Sequence, residues 1–111
     1  MSAVVLVGEV EGNEIKDISQ QVAGVAAGMG DVIGLVIGKN ISESAMKLAA
    51  GKVVIADDET LKYYDPVKYA SIVSQVVEKN GATKVLMGAT TMGKDLGPRI
   101  AAKLGWGYLG D

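Results

Sequence analysis

The run Gly88-Ala89-Thr90-Thr91-Met92-Gly93-Lys94-Asp95 holds the residues best suited to chemistry. Gly88, four residues, Gly93 and Lys94 reproduce most of the G-x-x-x-x-G-K-[ST] pattern, in which backbone amides cradle phosphates and a lysine neutralises them. The pattern breaks at its chemical end. Asp95 stands where a magnesium-ligating hydroxyl is needed, and its charge would face the phosphates unless a metal intervened. Val53-Val54-Ile55-Ala56-Asp57 has the form of the acidic second motif of such enzymes, yet it precedes the glycine loop instead of following it. Triphosphate hydrolysis therefore lacks its machinery, and two simpler roles stay open. Gly88, Thr90, Thr91, Gly93 and Lys94 can form an anion or AMP-type site of amides and hydroxyls at a helix start. Alternatively, the glycines serve turn geometry and the threonines cap the helix.

Other polar groups carry less. Asp57, Asp58 and Glu59 form the acidic cluster, which suits either oxygen ligation of a divalent ion or capping of backbone amides at a strand end. Asp95, Arg99 and Lys103, spaced by four, read as a solvated ion-pair row. With no cysteine and no histidine, disulfides, thiolate nucleophiles, Cys/His zinc sites and imidazole catalysis are excluded. No catalytic constellation is left, so the chain is not expected to be an enzyme.

The elements that must position these residues follow from the hydrophobic pattern. With 111 residues, 49% hydrophobic and 22% charged, the chain has the make-up of one folded domain. Apolar β-branched runs at 4–7, 32–37, 52–56 and 84–87, with a fifth fragment at Tyr108-Leu109, alternate with amphipathic stretches. Fully apolar strands separated by helices mark a parallel sheet covered on both faces. The expected class is α/β, a three-layer αβα fold with a doubly wound, mainly parallel sheet in the order 3-2-1-4-5.

Ile15, Ile18, Val22, Val25 and Met29 predict one face of a first helix, closed by Gly30 as a left-handed cap. A second helix is expected over 42–50, with Ser42 as N-cap. Asp65-Pro66 opens a third, whose buried stripe is Val67, Ala70, Val73 and Val77, and Asn80-Gly81 stops it. The fourth ends at Leu104-Gly105. Pro98 places its start at Asp95, since a proline in the first turn loses no hydrogen bond; a kinked earlier start is the alternative. Tyr64 and Tyr69 are expected at the edge of the third helix, and Trp106 and Tyr108 at a subunit interface.

A formal net charge of -2 with scattered basic residues gives no attraction for nucleic acid. The longest apolar run is far below the roughly 20 residues of a bilayer span, and no basic leader precedes the first strand. Cytoplasmic residence, away from membranes, is the expectation.

Taken together, the blocks Lys52-Val53-Val54-Ile55-Ala56-Asp57-Asp58, Tyr69-Ala70 and the run from Gly88 through Asp95-Leu96-Gly97-Pro98-Arg99-Ile100-Ala101-Ala102-Lys103-Leu104-Gly105 resemble the amino-terminal domain of electron-transfer flavoprotein α subunits. The Gly-Ala-Thr-Thr, Gly-basic-Asp-Leu and Pro-Arg steps stand in order, which makes this the specific part of the match. The resemblance implies an adenine nucleotide α-hydrolase-like fold and one domain over 1–111, truncated at its carboxyl end, in a heterodimer that passes electrons through FAD. It implies flavin contacts in a carboxy-terminal domain beyond this stretch, so FAD is not expected to bind this chain alone. A β-type subunit is the implied partner. AMP is a further ligand by analogy with the related β fold, and an unfinished sheet edge leaves homo-oligomers open.

Overall fold

The computed structural model describes residues 2–108. Its centre is a parallel sheet of β1 (Ala3–Gly8), β4 (Asp31–Gly38), β5 (Lys52–Asp57) and β6 (Ala82–Met87), ordered β5-β4-β1-β6. All three pairings are parallel. Counted as the four long apolar strands, this is the 3-2-1-4 order expected. Tyr108 lies outside any strand, and Leu109 falls outside the described residues.

Alternation along the strands divides the core in two. Val5, Val7, Ile33, Leu35 and Ile37 face α3 (Pro66–Asn80) and α4 (Thr91–Leu104), which contribute Tyr69, Val73, Val77, Leu96 and Ile100. Val4, Leu6, Val32 and Val36 face the other way, against Ala23 and Ala26 of α1 (Asp17–Ala27), Ala45 of α2 (Ser42–Ala45), and Ile41 and Leu48. Three layers result.

Expectations for the first two helices need correction. Residues Val10–Glu11 and Glu14–Ile15 form a small antiparallel ribbon, β2 and β3, so Ile15 belongs to a strand and α1 begins at Asp17. α1 then buries Ser19, Ala23 and Ala26, leaving Val25 and Met29 exposed. Gly30 is not a left-handed cap, because α1 closes at Gly28 in a right-handed conformation. Gly30 serves close approach instead: a Cβ there would lie 2.3 Å from the Ser2 carbonyl oxygen. α2 is a single turn with Ser42 inside it. It stops early because the Gln20 side chain donates to the Lys47 carbonyl at 2.7 Å and accepts from the Ala49 amide at 3.0 Å, while Leu48 is drawn into the core.

α3 starts as read, with Asp65 accepting from the Val67 and Lys68 amides and Pro66 in the first turn. Its stripe is Ala70, Val73 and Val77 without Val67, which is exposed. α4 departs most. It begins at Thr91 with Thr90 as N-cap and encloses Pro98. Gly97 makes this tolerable: the proline ring usually forces its predecessor out of the helical region through that residue's Cβ, which glycine lacks. Gly81 and Gly105 close α3 and α4, as expected, and both do so in the left-handed region.

Candidate functional site

β1 runs out between β4 and β6, so the carboxyl ends of these strands form the switch point where ligands of doubly wound sheets sit. A cavity of about 490 Å³ opens there, lined among others by Gly8, Glu9, Gly38, Asn40, Tyr64 and Met92. A second hollow, of about 560 Å³, lies at the opposite end of the sheet beside Asp31 and Lys52. It is at the amino ends of the strands, where the fold does not gather ligand-binding loops.

The loop from β6 into α4 brings Met92 to the cavity wall, while Gly88 and Gly93 are buried behind it, Thr90 is part-buried, and Thr91 and Lys94 are exposed to solvent. Gly88 and Gly93 are buried and stacked: a Cβ on Gly93 would lie 2.0 Å from the Gly88 carbonyl oxygen. Thr90 is committed twice. Its Oγ1 accepts from the Gly93 amide at 3.1 Å and donates to Glu9 Oε2 at 2.5 Å. Capping therefore uses the first threonine.

Glu9 is the residue that sequence reading passed over. It follows β1, is 5% exposed, and is bound on every side. Its amide donates to Ser19 Oγ at 2.7 Å, its carbonyl accepts from the Lys16 amide at 2.9 Å, and Lys16 Nζ stands 3.8 Å from Oε1. A carboxylate buried this deeply requires such partners. No local pattern marks it, since its partners lie at the start of α1 and, 81 residues away, at the start of α4.

Two members of the acidic cluster, Asp57 and Asp58, are caps, and the third, Glu59, pairs with Lys39 at 2.6 Å. Asp57 accepts from the Asn40 and Ile41 amides at 2.8 and 3.0 Å and from Ser42 Oγ at 2.8 Å. These bonds, that of Ser42 foremost, hold its carboxyl below the usual range. Asp58 accepts from the Thr60 amide and hydroxyl, the latter the main cause of its own lowered value. Asp95 accepts from Tyr64 at 2.6 Å and from Arg99 Nε at 3.1 Å, and these two bonds, in that order, hold its carboxyl low. Burial, reinforced by that bond, pushes the Tyr64 phenol up. Tyr64 packs edge-on against Tyr69, with centroids 5.1 Å apart. Trp106 packs against the α3–α4 core, and Tyr108 is half exposed.

A family profile described as "Electron transfer flavoprotein domain" matches residues 4–111. The chain belongs to this family. Among curated proteins, this electron transfer flavoprotein domain is 34% identical to the electron transfer flavoprotein subunit alpha of Bacillus subtilis, over 97% of the chain and 35% of the relative. It is 33% identical to the subunit alpha of Megasphaera elsdenii, over 96% of the chain and 34% of the relative. With the acryloyl-CoA reductase electron transfer subunit beta of Anaerotignum propionicum it shares 37% identity, over 72% of the chain and 23% of the relative. The domain thus spans about a third of the length of the α subunits it matches. Among the described residues of the electron transfer flavoprotein domain, no helix is long and apolar enough to cross a membrane.

Proposed function

We propose that this domain is the supporting, subunit-interacting part of an α-type electron transfer flavoprotein, working in the cytoplasm without catalysing a reaction of its own. The observation that carries the reading is the internal commitment of the most ligand-like stretch. Thr90 is a cap, and Gly88 and Gly93 pack on each other. Such a loop is architecture, and an electron-transfer role then needs a redox group held elsewhere. The family resemblance supports FAD as that group, in a further domain, and a β-type subunit as the partner. It supports 1–111 as one unit of such a protein.

The test is reconstitution. The purified chain is expected to be colourless and to co-elute with an electron transfer flavoprotein β subunit in size-exclusion chromatography, which also reports self-association. A yellow preparation with stoichiometric flavin from this chain alone would contradict the proposal.

A second reading is favoured by the exposure of Thr91 and Lys94 at the start of α4. It makes the chain a free-standing adenine-nucleotide binder through Gly88, Thr90, Thr91, Gly93 and Lys94, with AMP as its ligand. Calorimetry with AMP and ATP decides, and no heat for either eliminates it.

A further inference from the structure

We infer that Glu9 is an internal anion that closes the switch-point cleft to phosphate-bearing ligands, which makes it the specificity-determining residue of the cavity. The inference goes beyond the electron-transfer reading and does not depend on it.

Glu9 lines the cavity while being 5% exposed. Its carboxylate reaches across from the end of β1 and takes the Thr90 hydroxyl at 2.5 Å, the donor that a phosphate oxygen entering between β1 and α4 would need. The space that Gly88 leaves is filled by Ile18, whose Cγ1 would lie 2.8 Å from a Cβ there, with the same Glu9 oxygen beside it at 3.6 Å. A fixed negative charge therefore holds the ground that an anionic ligand would use. Among the cations about the cleft, Lys94 is exposed to solvent at the start of α4, and each of the other three is engaged by a partner. Lys16 faces Glu9 itself at 3.8 Å, Lys39 pairs with Glu59 at 2.6 Å, and Lys62 lies over the Tyr63 ring at 5.4 Å.

Removing the charge should act twice, since the repulsion vanishes and Lys16 is freed to attract. Like charges about 5 Å apart change affinity by roughly fourfold in water-like surroundings and by up to a few hundredfold in a part-buried site.

The experiment is a ¹H–¹⁵N NMR titration of the wild-type chain and Glu9→Gln with inorganic phosphate, at ionic strength matched with chloride. Glu9→Gln keeps the side chain's length and can still accept from Thr90. The variant is expected to show saturable shifts at the amides of 90–94, with affinity at least about tenfold above wild type. Equal affinity in the two proteins would overturn the inference, as would an absence of binding in both. Should Glu9→Gln fail to fold, Glu9→Asp withdraws the carboxylate by one methylene. A gain of about threefold is then expected, and no gain overturns the inference.

Discussion

At the scale of single residues, the loop after β6 is decided by one hydroxyl. Thr90 Oγ1 caps α4 through the Gly93 amide and joins β1 through Glu9. Thr90→Val keeps the shape and removes both bonds, leaving a buried carboxylate without one of its donors. A loss of about 2 kcal/mol in urea unfolding is expected, against a near-neutral effect for Thr91→Ala on the exposed neighbour. Asp57 gives the pH dependence. Its carboxyl lies below the ordinary value of 3.8 in the folded chain, chiefly through Ser42. A depressed folded value means stability that is complete above the unfolded value and is lost as pH falls through the folded one. Asp57→Asn should therefore unfold at lower urea than wild type at pH 7, and the gap should close as pH drops below 3.8. A gap of constant size across that window would show that the charge is not what the caps bind.

At the scale of elements, legibility followed whether a signal was local. Asp65-Pro66 could be read because a cap and a first-turn proline act within three residues, and the four long strands because each is an unbroken apolar run. The ribbon formed by β2 and β3 carries a two-residue hairpin signal in Gly12-Asn13, flanked by Val10-Glu11 and Glu14-Ile15, but Ile15 also continues the apolar period of α1, and that longer pattern masks the hairpin. Pro98 misled for a physical reason. The usual penalty of an interior proline is partly a clash with its predecessor, and Gly97 removes that clash. Gly97 does more, because a Cβ there would stand 2.5 Å from Tyr108 Cε1. Gly97→Ala is expected to cost about 1–2 kcal/mol in urea unfolding, and less in a Tyr108→Ala background, where the ring is gone. Gly93→Ala should be worse, about 3 kcal/mol, because the clashing atom is the Gly88 backbone and cannot swing aside. Glu9 lay beyond sequence reading altogether, as its burial exists only once β1, α1 and α4 have assembled.

At the scale of the whole molecule, the sheet belongs to two cores at once. Val5 and Val7 serve the α3–α4 side while Val4 and Leu6 serve the α1–α2 side. Neither layer can lose its packing without exposing the back of strands on which the other depends, so the domain should unfold in one step. Leu48 and Trp106 make this testable. Leu48 is 3% exposed on the α1–α2 side, whereas Trp106, the single tryptophan, packs on the opposite side. Leu48→Ala removes buried methyl groups far from the indole and should cost about 2–4 kcal/mol. If the layers are coupled, the urea midpoint from Trp106 fluorescence falls by the same amount as the midpoint from far-ultraviolet circular dichroism. If fluorescence keeps its wild-type midpoint while dichroism shifts, the α3–α4 layer stands alone and the shared sheet is not what unifies the fold. Coupling is the expected result because every strand of the central pair, β1 and β4, places alternate side chains on both faces.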